Sequence, residues 1–239
     1  MKRNTITILC AVLSLSLFLQ LGVTNFSDVQ AAETDNSAVV TKGTESLDNI
    51  IDDVSKNVSI TDESISLENE SAILESITQE DIDNLNELAK EQGIQYEKPL
   101  TKEYVLELLK QGINSVNSEL NDGNLEVLKD GSLIESDDDS FYVQGGSTYD
   151  KTYWWGKKRY KSTANANKWA SQLNSVANAN AAGAVIAGAV FGGVGAIPNG
   201  LTAAYSYQLA QKVSYRNSLN NRGIIANLTW TLVFTTASQ

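Results

Sequence analysis

Apolar residues recur at helical spacing in the first half of this chain and at strand spacing near its end. In TQEDIDNLNELAKEQG, residues 78–93, Ile82, Leu85 and Leu88 form one stripe. Thr78 supplies an N-cap, Glu80, Asp81 and Asp83 crowd the positive end of the dipole, and Gly93 stops the helix. TKEYVLELLKQGINSVNSEL repeats this with Thr101 as cap, Tyr104, Val105, Leu108 and Leu109 on one face, and Asn121-Asp122-Gly123 as the stop. Upstream, ESLDNIIDDVSKNV and ISLENESAILESI have shorter apolar spacings that predict marginal helices. ETDNSAVVTKGTESLD is polar enough to predict a disordered tether. LEVLKDGSLIE predicts a hairpin turning at Lys129-Asp130-Gly131.

The second half opens with STYDKTYWWGKKRYKS, where aromatic residues and Thr favour a strand and Gly156 marks a bulge or turn. STANANKWASQLNSVANANAAG follows as a helix, capped by Ser162 or Thr163, with Trp169, Leu173 and Val176 on one face. From Ala181 to Ile197 there are 17 residues without a polar side chain. Small residues recur there every fourth position, at Ala184, Gly188, Gly192 and Ala196, a ridge that lets two helices approach closely. A bilayer span needs about 20 apolar residues, so this stretch is short for one and is expected as a packed hairpin or as an insertion hairpin. Pro198-Asn199-Gly200 turns the chain into a second helix, with Leu201, Ala204, Tyr205, Leu209 and Val213 on its apolar face. At the end, Ile224, Ala226, Leu228, Trp230, Leu232 and Phe234 alternate with mixed residues, predicting one strand with a buried face that pairs with the segment around Tyr153–Tyr160. Asn227-Leu228-Thr229 also fits the N-glycosylation pattern and is taken as a chance match.

Charge divides the chain sharply. Residues 33–140 hold 27 acidic against 7 basic residues, a net of −20, whereas residues 141–239 hold Asp150 alone against nine bases, a net of +8. Such asymmetry points to an acidic mask or pro-segment beside a basic effector, or to two domains that merely differ. The first 31 residues have the form of a signal peptide: Lys2 and Arg3, an apolar run, and small residues ending at Ala31 as the cleavage position. An uncleaved N-terminal anchor is the alternative. Cys10 lies within this segment, so the mature chain is expected to carry no cysteine and no disulfide.

These features together predict an α+β chain: an acidic, mostly helical N-terminal part, then a small C-terminal domain with a two-stranded sheet packed against a helical hairpin. The expected divisions are a signal peptide over 1–31, a flexible acidic segment over 32–60, an acidic helical pro-region or cap over 61–140, and a basic effector domain over 141–239.

The chain contains no histidine. That excludes Ser-His-Asp and Cys-His catalysis and His-ligated zinc. The acidic runs do not fit a calcium-binding EF-hand loop, and Asp137, Asp138 and Asp139 are expected as a solvated linker open to proteases. Gly145-Gly146 has the form of a double-glycine processing site. No enzyme activity, cofactor or metal is expected. Candidate chemistry concentrates in Trp154, Trp155, Lys157, Lys158, Arg159 and Lys161. Aromatic residues beside cations suit the interface of an anionic membrane, and also single-stranded nucleic acid or a strand with one buried aromatic face and one solvated basic face. For a secreted chain, lipid or envelope polymer is the expected anionic partner rather than nucleic acid.

YWWGKKRYKS, the Gly/Ala-rich hairpin and the terminal GIIANLTWTLVF resemble a loose group of secreted, largely uncharacterised Gram-positive proteins, some of them bacteriocin-like. The resemblance spans 99 of 239 residues. It implies a secreted effector whose basic domain acts on anionic membranes, with the acidic half contacting and masking it and an immunity protein as a possible partner. A secreted binding or scaffold protein for cell-wall polymer or a protein partner is the alternative.

Overall fold

In the computed structural model the described backbone comprises residues 26–135, 141–143, 146–179, 181–192 and 200–239, with side chains described from residue 37 except at 141–143. The apolar run of the signal segment, Asp137 to Asp139, Gly145, Ala196 and Pro198-Asn199 lie outside the described residues. Residues Asn36–Gln239 cluster into one compact unit.

The expected flexible segment is instead the helix α1 (Phe26–Ser55). Its residues Leu47, Ile50 and Val54 recur at helical spacing and are buried. Gly43 completes this face, since a Cβ there would lie 2.6 Å from the Leu88 side chain. Docking, not propensity, orders this polar sequence. Next come a small hairpin, β1 (Val58–Ile60) and β2 (Ile65–Leu67), and then α2 (Glu70–Ser76). ISLENESAILESI therefore splits into a strand and a short helix, with Asn69 in the left-handed region at φ 50 between them.

The two long helices follow the sequence pattern. In α3 (Gln79–Glu91), Thr78 Oγ1 accepts from Asp81 N at 3.1 Å and the Asp81 carboxylate accepts from Thr78 N at 3.3 Å, a reciprocal capping box. In α4 (Lys102–Asn121), Thr101 accepts from Tyr104 N at 3.2 Å. The hairpin of β3 (Leu125–Val127) and β4 (Leu133–Glu135) also forms.

Then follow β5 (Phe141–Val143), β6 (Gly146–Tyr153), β7 (Gly156–Lys161), the helices α5 (Thr163–Asn178), α6 (Gly183–Phe191) and α7 (Ala203–Leu219), and finally β8 (Ile224–Thr229) and β9 (Phe234–Ser238). The mixed helix and sheet content agrees with an α+β class. The two-stranded sheet does not hold: seven antiparallel strands form one sheet, ordered β3-β4-β6-β7-β8-β9, with β5 also on β6. The acidic hairpin joins this sheet at Leu133↔Thr152, so strand pairing runs across the expected boundary near residue 140. The β7–β8 pairing is present from Gly156↔Thr229 to Lys161↔Ile224.

The terminal strand is also different, folding back as a hairpin between β8 and β9. Trp230 to Val233 make the turn without Gly, Pro or Asn, and buried Leu232 adopts φ 68. Hydrophobic alternation continues through the bend, which hides it from pattern reading.

Both halves share one core. Trp230 stacks on Phe191 with centroids 5.8 Å apart, and its indole N–H donates to the Trp154 carbonyl at 2.8 Å. Its ring fills a notch at Gly112 of α4, where an added Cβ would stand 2.1 Å from Trp230 Cγ. Gly112→Ala raises helix propensity by about 1 kcal/mol but overpacks this contact by about 3 kcal/mol, a net loss of about 2 kcal/mol. Thermal unfolding of the variant is expected to fall by about 4–8 °C.

Candidate functional site

The β6–β7 hairpin pairs Tyr149 with Tyr160, Asp150 with Arg159, Lys151 with Lys158 and Thr152 with Lys157. Because side chains alternate across a strand, this register sorts the basic aromatic segment onto two opposite faces. One faces the helices and the other faces away from them.

On the helix side, Asp150 holds three cations. Its carboxylate accepts from Arg159 Nε at 3.0 Å and from Lys161 Nζ at 2.7 Å, and lies 3.9 Å from Lys157 Nζ. Glu135, on β4 of the acidic half, reaches Lys157 at 3.2 Å. The Lys157 side chain is only 1% exposed. Arg159 also donates to the carbonyls of Ala189 and Val190, at 3.3 and 2.5 Å, and so caps the negative end of α6. Its guanidinium sits 4.8 Å from the centroid of the Trp169 ring. Burial alone would raise the Asp150 carboxyl, but Arg159, Lys161 and Lys157 hold it below its ordinary value. Burial lowers the Lys161 ammonium, Arg159 adds to that lowering, and Asp150 opposes it.

Trp154, Lys157, Arg159 and Lys161 therefore do not form an exposed anion-binding strip with their neighbours. Trp154 is buried with its carbonyl bonded to Trp230, and the three cations are spent on Asp150, Glu135 and α6. The partition expected for a simple strand, aromatics in and cations out, does not hold: Lys157, Arg159 and Lys161 turn inward with Trp154, and Tyr149, Tyr153, Trp155 and Tyr160 turn outward with Lys151 and Lys158. Asp150, the one acid of the basic half, makes the inward cations tolerable.

Trp155 and Lys158 lie on the outer side, both partly exposed. Tyr149 and Tyr160 stack there with centroids 4.2 Å apart, and Tyr153 and Trp155 stack at 5.0 Å. Lys158 Nζ stands 5.7 Å from the Tyr160 centroid, and Lys151 pairs with Asp130 at 2.8 Å. The same face continues across Asn227 and Thr235, where Asn227 Nδ2 donates to Thr235 Oγ1 at 2.9 Å. Asn227 Oδ1 is buried and has no hydrogen-bond partner among the described residues. Counting alternate positions outward from Asp150 would have singled out Tyr149, Tyr153 and Tyr160, which were not among the expected contact residues.

The proposed packing seam is likewise on the wrong side of its helix. Ala184, Gly188 and Gly192 are exposed, and a Cβ on Gly188 would meet nothing within 4 Å. Burial of α6 comes from Ile186, Ala187, Val190 and Phe191, whose larger side chains win the contact with the core. Among the described residues, no helix is long and apolar enough to cross a membrane. Comparison with protein-family models, curated proteins and solved structures gives no match for this chain.

Removing the charge on Asp150 leaves three inward cations without their common partner. Asp150→Asn is expected to cost about 3 kcal/mol at neutral pH, lowering the unfolding midpoint by about 6–12 °C. The folded-state pKa of Asp150 is depressed, so its contribution is present above the unfolded value of about 3.9 and is lost as pH falls through the lower folded value. Urea titrations of both proteins should therefore converge as pH drops below about 4.

Proposed function

We propose that this chain is a secreted, non-enzymatic binding protein that holds an anionic cell-wall polymer on the outer face of the β6–β7–β8 sheet. The observation that carries this function is the pair of aromatic stacks, Tyr149 on Tyr160 and Tyr153 on Trp155, partly open to solvent beside Lys158. Rigid rings present broad apolar area at small entropic cost and stack on the C–H faces of sugars. A lysine beside them adds a mobile positive charge suited to phosphate or carboxylate on the polymer. Partners on the β strands keep the rings in register, so the platform exists before ligand arrives.

Co-sedimentation with Gram-positive wall sacculi tests this function. Trp155→Ala with Tyr160→Ala should weaken retention at least tenfold, about 1.4 kcal/mol. Lys158→Glu should weaken it further, and sacculi stripped of anionic polymer should retain little protein. Equal retention of all variants would overturn the assignment.

Glu135 favours a second function, a bacteriocin-like effector held latent. Its carboxylate belongs to the acidic half and lies on Lys157 of the basic half. Separation of the halves would take Glu135 from Lys157, uncover Trp230 at its notch beside Gly112, and leave α6 with Ala184, Val185 and Gly188 already outward. Each cation released near an anionic surface contributes about 1 kcal/mol of attraction. A chain with a protease site inserted between Glu135 and Phe141, cut beside dye-loaded anionic liposomes, is expected to release dye only after cutting. Silence in both states would eliminate the latent effector and leave the binding protein.

A further inference from the structure

The sheet ends at β9, and the main chain there is only partly satisfied. Thr229 N donates to the Val233 carbonyl and Gln239 N donates to the Gly223 carbonyl, each at 3.1 Å. With the register Asn227↔Thr235 and Ile225↔Ala237 between them, the odd-numbered residues of β9 bond to β8. Phe234, Thr236 and Ser238 consequently turn their N–H and C=O groups to the outer edge. At Phe234 a side chain takes the place of a neighbouring strand. Gln92 Oε1 accepts from Phe234 N at 2.9 Å, and Gln92 Nε2 donates to the Phe234 carbonyl at 2.7 Å. Among the described residues, no group bonds the main chain of Thr236, the next position along that edge.

A cleft of about 350 Å³ opens beside this edge, bounded by α1, the end of α3, α7 and β9. Ligand clefts begin at about 300 Å³. Helix α7 runs alongside β9, from Tyr205, edge-on to Phe234 at 5.3 Å, to Arg216, whose carbonyl accepts from Ser238 Oγ at 3.2 Å. Four charged residues line the cleft. Glu91 lies at the Phe234 end beside Gln92, Lys212 and Arg216 lie towards the Ser238 end, and Glu45 adds a second acid from α1. Among the described residues none of these four charges forms an ion pair.

We propose that this cleft binds an extended peptide segment of a protein partner by strand addition to β9, with Gln92 closing one end of the added strand. The segment carries a basic residue at the end near Glu91 and an acidic residue or carboxylate at the end near Arg216. With Phe234 taken by Gln92, the open edge runs from Thr236 to Ser238, about 7 Å, so the added strand is a short one of about three residues. Acidic Glu91 at one end and basic Lys212 and Arg216 at the other argue for a short peptide of matching charge pattern as the occupant. This site is separate from the aromatic face and does not depend on the wall-polymer function.

Panning a random heptapeptide display library on the full chain tests the site directly. Enriched sequences should be extended, free of proline at their centre, and dipolar in charge. Thr236→Pro deletes one amide on the open edge, where proline is tolerated in a strand, and should weaken the enriched peptides at least tenfold with the unfolding midpoint unchanged. Lys212→Glu with Arg216→Glu should select peptides that have lost the acidic end. In the unaltered chain, the Thr236 amide should gain protection from hydrogen exchange when peptide binds. No enrichment, undiminished binding by Thr236→Pro, or unchanged exchange at Thr236 would each overturn strand addition. Retention on wall sacculi is scored separately and survives any of these outcomes.

Discussion

The basic half depends on one carboxylate. Asp150 is its only acid, and it sits between Arg159, Lys161 and Lys157 on the helix-facing side of β6 and β7. Without a counter-charge, moving three cations out of water would cost far more than the sheet gains by packing. With it, Arg159 can extend to the last carbonyls of α6 and fix that helix against the sheet. The same arrangement leaves Tyr149, Tyr153, Trp155 and Tyr160 on the other side, with Trp154 alone of the hairpin's rings turned in, because a strand offers only two faces. Asp150, helped at Lys157 by Glu135, thus fixes which face of the hairpin meets solvent.

Much of the fold was legible locally. The long helices α3 and α4 follow from Thr78 and Thr101 as caps and from apolar stripes at helical spacing, and β3–β4 follows from its Asp-Gly turn. What failed was decided by tertiary partners. Residues 33–48 read as tether because their ordering comes from Leu88 meeting Gly43, which is invisible along the sequence, whereas the helical spacing read over 45–58 continues the same helix to Ser55. The terminal hairpin read as one strand because Leu232 takes a turn conformation without a turn residue. The Gly/Ala ridge read as a seam because small residues every fourth position fit a packing face, yet α6 docks through its larger side chains instead. The candidate site was half legible: composition located the segment, but treating its cations as one group ignored the two-residue period. Asp150 was visible as the lone acid, and combining it with that period separates Lys158 from Lys157 and Arg159.

Carboxamides join distant parts of the molecule in one recurring way. Gln92 bonds both main-chain groups of Phe234, Asn117 bonds both of Ile65 at 2.8 Å, and Asn86 bonds both of Leu100 at 2.9 and 3.1 Å. Each amide imitates a peptide unit, so it satisfies a donor and an acceptor without adding charge. Two of these links lie within the acidic half; the Gln92–Phe234 pair joins the two halves without charge, beside the charged contacts of Glu135 with Lys157 and Asp130 with Lys151. Tyr96, donating to the Thr231 carbonyl, and Thr202, donating to the Gly93 carbonyl at 2.7 Å, add to the same joint.

That joint also dictates an order of events. The Gln92–Phe234 pair closes a loop of 142 residues, and Trp230 enters its notch in α4 from the same terminal hairpin. As the chain emerges from its N-terminus, α3 and α4 can form early from local signals, but they must wait with the notch empty. Contacts this distant in sequence slow folding, because loop closure precedes any return in stability. A truncated or stalled chain lacking its last strands would therefore carry an acidic half with an open apolar wound, whatever the integrity of its own helices.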